Sequence, residues 1–231
     1  MLAACWFAVL KAGCIAVATM PLLRARELVP IIDKARIGAA LCDVRLLEEL
    51  ELARQECSVL QRVLGFNADG PGSLETLLEN QPDEFKNADT AGEDIALIAF
   101  TSGTTGQPKG TLHFHRDVMA MCDCFPRSIL KPNADDIFCG TPSLAFTFGL
   151  GGLLCFPLRY GASAVLVEKL LPDTLLKTIQ DFRATICFTA PTCWRRMVGL
   201  AGNYDLSSLK QCVSAGEALP DATRQLWKTA T

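Results

Sequence analysis

Ile95-Ala96-Leu97-Ile98-Ala99-Phe100-Thr101-Ser102-Gly103-Thr104-Thr105-Gly106-Gln107-Pro108-Lys109-Gly110 decides how the rest of this chain is read. It opens as an apolar run, Ile95 to Phe100, with the length and flanks of a buried parallel strand. It then changes abruptly into hydroxyls and glycines. Thr101, Ser102, Thr104 and Thr105 are hydroxyl donors, Gly103, Gly106 and Gly110 are positions that bend freely, and Lys109 is a compact positive charge. Such a loop suits phosphate oxygens. Glycine lets the chain turn back until backbone N–H groups face an anion, and the ammonium adds charge. It is not a Walker A loop, because Gln107 and Pro108 stand where that motif needs x and Gly, and no Gly-Lys-Ser/Thr ending follows. Composition alone also fits a plain connecting turn, so the order of the residues has to discriminate.

A chain of 231 residues is long enough for one large or two small domains, and should bury roughly 70–75% of its unfolded surface. Hydrophobic residues make up 50% and charged residues 20%, as expected of a core-rich globular α/β protein. The formal net charge is −3 with no long basic run, so nucleic acid has no electrostatic footprint here. The 11 cysteines are odd in number and irregular in spacing. Cys42, Cys139, Cys155, Cys187 and Cys212 sit in apolar runs and read as small buried hydrophobes. Cys122-Asp123-Cys124 lacks the CxxC spacing and a second half-site, so no metal site is expected. A reducing compartment, the cytoplasm, follows.

The opening MLAACWFAVLKAGCIAVATMPLL is apolar, yet no positive region precedes it and Lys11 interrupts it. That argues against a signal peptide or a membrane span. The better parse is a helix through Lys11, a stop at Gly13 and a strand from Cys14 to Thr19. Arg26 to Ile37 has helical apolar spacing, with Pro30 expected in its first turn. Ala39 to Cys42 reads as strand, Leu46 to Gln55 as helix and Ser58 to Phe66 as strand. Asn67 to Gly92 is a polar connector, with a short helix at Ser73 to Glu79. A helix from Thr111 to Met121 would then carry His113 and His115, which point in different directions and make a poor metal pair.

Further on, strands are expected at Asp136 to Gly140, Ser163 to Val167, Thr185 to Thr189 and Leu209 to Ser214. Helices are expected at Leu150 to Leu158, Leu171 to Phe182, Pro191 to Leu200 and Leu219 to Thr229. Strand and helix alternate with short connections, which predicts an α/β fold of mostly parallel sheets flanked by helices. Ligands collect at the carboxyl ends of such strands. The turns after Phe100, Gly140 and Val213 all lie there, which suggests a shared cleft. The organisation reads as 1–92, with its connector near 67–92, followed by 93–231 around the loop.

Thr101 to Gly110 resembles the phosphate-loop signature of the adenylate-forming, or AMP-binding, superfamily, which includes acyl-CoA and aryl-CoA synthetases. Other stretches resemble it in the same order. Val9 to Gly13 with Met20 to Leu23 is similar to its early helix–strand–proline segment. Phe146-Thr147-Phe148-Gly149 stands where the family closes its acyl pocket. Val213-Ser214-Ala215-Gly216-Glu217-Ala218 resembles the adenine-packing segment. The wording of 110–117, 142–152 and 187–192 resembles the benzoate and 2-aminobenzoate ligases in particular. Aromatic walls at Phe146 and Phe148 suit a flat acid, each ring contact contributing about 0.5–1.5 kcal/mol beyond area burial. No acid lies between Ser143 and Gly152 to pair with an amino-acid ammonium.

The resemblance implies a two-step reaction: carboxylate and Mg-ATP give an acyl-adenylate and pyrophosphate, and coenzyme A then displaces AMP. Lys109 and Thr104 would be catalytic. Thr101, Ser102, Gly103, Thr104, Thr105, Gly106 and Lys109 would hold the phosphates, and Gly216, Glu217 and Ala218 the adenine. Phe146, Phe148, Gly149, Ser214 and Ala215 would line the acyl site. ATP, Mg2+ and coenzyme A are the expected co-substrates, an aromatic carboxylate the partner, with neither nucleic acid nor membrane. The family's Tyr-Gly-x-Thr-Glu segment, ribose-binding aspartate and C-terminal domain are not found in these residues. The chain is therefore expected to be part of an N-terminal AMP-binding domain with little ligase activity of its own. A truncated phosphate-binding module and a synthetase for a non-aromatic acid are the competing expectations. An unrelated phosphotransferase would need metal carboxylates at the loop, but Glu93 and Asp94 lie at the opposite end of the strand.

Overall fold

Short apolar strands alternate with amphipathic helices along this chain, and each pairing buries one helix stripe against a neighbour. The structure is a computed structural model and describes residues 1–101 and 108–231. Two compact units are formed, Met1–Arg116 and Asp117–Thr231.

The first unit begins with α1 (Leu2–Lys11), as expected, and Gly13 leaves it with φ +72°. The strand predicted at Cys14 to Thr19 shrinks to one parallel bridge, Ala16 to Leu97. Ala16 gives its N–H to Ala96 and takes that of Ile98, both at 2.9 Å, before the chain leaves toward Pro21. Helix α2 (Ala25–Ala35) holds Pro30 in its interior rather than in its first turn. The bond lost there is the one the residue at 30 would give to the carbonyl of Arg26, and Arg26 is exposed, so solvent can serve that carbonyl. Glu27 accepts from the Arg24 N–H at 2.9 Å and fixes the helix start. Strand β1 (Ala39–Asp43), helix α3 (Leu47–Glu56) and strand β2 (Arg62–Phe66) complete a parallel pair packed on two helices. Leu28, Ile32, Leu50, Ala53, Cys57 and Leu60 form its core. The connector carries α4 (Leu74–Glu79), capped by the Ser73 hydroxyl.

Strand β3 (Ile95–Thr101) differs from its expected character. Its partner is β4 (Lys109–Phe114), and the two run antiparallel. Only Ala96 and Leu97 of β3 are buried. The helix predicted from Thr111 thus starts later, as α5 (His115–Phe125), and His113 stays in β4. Cross-strand pairing overrides helical spacing here. The Phe100 ring lies over Gly110 across the ladder, where an added Cβ would stand 3.2 Å from it.

The second unit is built on a parallel sheet of β5 (Ile137–Gly140), β6 (Ser163–Val165), β7 (Ile186–Thr189) and β8 (Gln211–Ser214), in the order β6-β5-β7-β8. Side chains alternate between its faces. Cys139 and Cys187 point to one face, packed on α8 (Pro172–Phe182), α9 (Pro191–Val198) and α10 (Asp221–Ala230) through Leu175, Ile179, Trp194, Met197 and Trp227. Phe138 and Phe188 point to the other and stack at 6.1 Å. There they meet a helix running Thr147–Leu150 (α6), Gly151–Cys155 as a wider π turn, and Phe156–Arg159 (α7). That helix starts earlier than the predicted Leu150. Its π turn falls where Pro157 has no N–H to return to Leu153. All 11 cysteines are free, and Cys139, Cys155 and Cys187 are buried as expected. Cys42 is half-buried, and Cys212 is exposed because β8 is the last strand of the sheet. No helix among the described residues is long and apolar enough to cross a membrane.

At the amino ends of β5, β7 and β8 a buried carboxylate ties three strands. Asp136, its side chain 4% exposed, accepts from Lys210 Nζ and Thr185 Oγ1, each at 2.8 Å. Burial works against its ionisation, yet Lys210, the Asn133 N–H and Thr185 together hold the carboxyl below its usual range. A carboxyl depressed on folding stabilises above its unfolded pKa, and that contribution disappears as pH falls through the folded value. Asp136→Asn should therefore cost about 2 kcal/mol at pH 7, discounted for the exposed lysine. The difference from wild type should shrink below about pH 4. Urea unfolding midpoints at both pH values check this.

Candidate functional site

In the first unit, the antiparallel register sets Thr101, the last residue of β3, directly opposite Lys109, the first of β4. Directly opposed residues on antiparallel strands project to the same face. A hydroxyl and an ammonium eight positions apart in sequence thus share one side of the hairpin, and both residues are exposed. The remaining phosphate-loop assignments, Ser102, Gly103, Thr104, Thr105 and Gly106, lie outside the described residues.

In the second unit, the expected acyl and adenine segments leave the same carboxyl edge of one sheet. Gly140 of β5 pairs with Phe188, and Thr189 of β7 pairs with Ser214 of β8. The acyl segment starts at Thr141, whose N–H donates to the Phe188 carbonyl at 3.1 Å. Its hydroxyl meets that of Thr189 at 2.5 Å, and Thr189 is fully buried. The segment then folds tightly upon itself. The Phe146 N–H donates to the Ser143 carbonyl at 3.1 Å, and the Leu150 N–H to the Phe146 carbonyl at 2.8 Å. Gly149 permits this closure, because a Cβ there would stand 2.1 Å from the Ser143 oxygen.

The two predicted aromatic residues fare differently. Phe146 is 48% exposed at the edge. Phe148 is half-buried, its ring 5.6 Å from Phe188. Phe188 also lies 6.3 Å from Phe156 and carries Gly152 against its ring, where a Cβ would approach to 2.4 Å. It is the centre of this aromatic group, and single-residue reasoning missed it. The available signal was its place at the carboxyl end of a strand. On the adenine side, Ser214 Oγ is buried without a hydrogen-bond partner among the described residues. A buried unpaired hydroxyl is costly, about 1–3 kcal/mol, so a polar ligand atom or water would be favoured there. Ala215 is half-buried, Gly216 turns with φ +96°, and Gly216, Glu217 and Ala218 are exposed.

Comparison with known proteins identifies the family and the fold. Residues 1–231 match the AMP-binding enzyme family. The benzoate–CoA ligase of Thauera aromatica is 29% identical over 225 residues, covering 95% of this chain and 42% of that one. The anthranilate–CoA ligase of Pseudomonas aeruginosa is 33% identical over 132 residues, 57% of this chain and 25% of that one. A crystal structure of the anthranilate CoA ligase AuaEII in complex with anthranoyl-AMP superposes with a TM-score of 0.92 at 35% identity. It covers 98% of this chain and 45% of that one, so the chain spans less than half the length of these relatives. Matched along its whole length and built on the same parallel α/β plan, the chain belongs to the AMP-binding enzyme family.

Proposed function

We propose that these residues serve the ATP-dependent, AMP-forming activation of an aromatic carboxylic acid, benzoate or 2-aminobenzoate in kind, followed by transfer to coenzyme A. The observation that supports this most is the aromatic group at the sheet's carboxyl edge, where Phe148 rests on Phe188 beside solvent-facing Phe146. A flat ring is held best by such edge and face contacts. The benzoate and anthranilate ligases among its relatives point the same way.

In this reading Phe146, Phe148, Gly149, Ser214 and Ala215 line the acyl site, and Gly216, Glu217 and Ala218 meet adenine. Thr101, Ser102, Thr104 and Thr105 donate hydroxyl hydrogen bonds to the ATP phosphates, with backbone N–H groups from Gly103 and Gly106. Lys109 neutralises the departing pyrophosphate. Transfer at phosphorus asks little covalent work of a protein, mainly position and charge. Among the described residues no group of three or more His, Cys, Asp or Glu side chains is placed to hold a metal ion. Magnesium would accompany ATP as its co-substrate. Since these residues cover 42% of the benzoate ligase's length, thioester formation is assigned to more chain than they contain. The free thiols fit a cytoplasmic setting.

Isothermal titration of ATP into this chain, with and without benzoate or 2-aminobenzoate, tests the reading. ATP should bind, either aromatic acid should tighten it, and no AMP should be released. Equal tightening by an aliphatic acid would remove the aromatic assignment. Thioester formation by the chain alone would remove the need for further residues.

A further inference from the structure

One lysine that no motif singles out reaches the stem of the phosphate loop. Lys34, in the last turn of α2, donates from Nζ to the carbonyl oxygen of Pro108 at 2.9 Å, across 74 positions of sequence. Pro108 is the residue before Lys109, where the chain enters β4. Proline has no N–H, so its peptide cannot donate to the β3–β4 ladder from that position. The ladder's last pair is Thr101 with Lys109, and beyond it Pro108 is held by the Lys34 contact.

A lysine at a helix C-terminus ordinarily serves the helix's own last carbonyls. Lys34 instead donates a hydrogen bond to a carbonyl outside its helix, and has no ion-pair partner among the described residues. Thr101 and Lys109 are cross-strand partners at this stem, and Lys34 reaches it through the Pro108 carbonyl, so a hydroxyl and two ammonium groups suited to a polyphosphate belong to the stem.

We propose that Lys34 is a positioning residue for the nucleotide's polyphosphate. Its hydrogen bond to Pro108 fixes where β4 begins, and hence how Lys109 faces Thr101, while its charge adds a second cation to the stem. The inference rests on the nucleotide reading above for its ligand, but the tether can be tested without one.

Two measurements on the 231-residue chain separate these parts. Amide hydrogen exchange reads the tether: Lys34→Ala should speed exchange at Lys109 to Leu112 by about threefold or more, as a frayed strand end does. The exposed Lys86→Ala should not. Calorimetric titration of inorganic pyrophosphate and of ATP reads the charge: Lys34→Ala should weaken both by about fivefold, the scale of one exposed charge. Added salt should narrow that gap, and Lys34→Arg should restore most of the affinity. Unchanged exchange in Lys34→Ala overturns the proposal, as does unchanged affinity for pyrophosphate. A wild-type chain that binds neither ligand overturns the nucleotide reading and the ligand half of this proposal, with exchange still reporting the tether.

Discussion

Lys109→Ala, in an active ligase carrying these residues, is expected to slow ATP–pyrophosphate exchange by about 10²–10³-fold while leaving affinity for the aromatic acid nearly unchanged. Negative charge grows on the leaving pyrophosphate as the bond to the α-phosphorus breaks, so a cation placed there acts more strongly in the transition state than before it. Lys109 stands opposite Thr101 at the mouth of the hairpin, with its side chain exposed. Lys109→Arg should recover only part of the rate, because a planar fork replaces a compact point charge. Isotope exchange between pyrophosphate and ATP, measured beside the KM for the acid, reads both effects. Unchanged exchange would take Lys109 out of the reaction.

Gly149→Ala is expected to destabilise the chain by about 3 kcal/mol and to disturb the acyl wall. A Cβ at this position would lie 2.1 Å from the Ser143 carbonyl oxygen, 2.5 Å from its carbon and 2.7 Å from the Pro142 oxygen. All three are backbone atoms of a turn already tied to the sheet, so none can retreat without moving the segment. Alanine should gain about 1 kcal/mol of helix propensity over glycine in α6, and the overlap outweighs it. Gly199 supplies the control. It sits at the end of α9 with φ −72°, and a Cβ there would meet nothing within 4 Å. Gly199→Ala should therefore be neutral or mildly stabilising. Urea midpoints of the two variants against wild type decide the matter, and equal midpoints for Gly149→Ala and wild type would refute the close approach.

How far the chain could be read in advance differs between its halves. In the second unit the predicted strands ending at Gly140, Thr189 and Ser214 end there in the structure. Those ending at Gly140 and Thr189 are short apolar runs, and covered parallel strands announce themselves that way, whereas the one ending at Ser214 is an edge strand with Cys212 exposed. In the first unit the pattern misled. Ile95 to Phe100 has the apolar content of a parallel strand, but its partner is a hairpin neighbour rich in polar residues. Thr111 to Phe114 fits helical spacing in isolation and becomes strand because β3 offers an open ladder. Pro30 was expected at a helix start and lies within the helix, where an exposed neighbour makes the missing hydrogen bond tolerable.

The candidate site divides along the same line. Glycines, hydroxyls and the lysine of the loop can be named from the sequence because their chemistry is in the residue types. Phe188, Thr189 and Lys34 have no such signature, being one phenylalanine, one threonine and one lysine among several. Their roles come from what they touch. Phe188 touches Phe148 and Gly152, Thr189 the Thr141 hydroxyl, and Lys34 the Pro108 carbonyl.

By itself the sequence determined the family, the α/β character and the residue types available to phosphate and to an aromatic ring, since these depend on local order and period. The tertiary structure alone decided that β3 and β4 pair antiparallel and that Lys109 faces Thr101. It also decided that Phe148 leans on Phe188 and that a lysine from α2 holds the stem. Those outcomes depend on which residues meet across strands and between elements, whose energies no local pattern encodes.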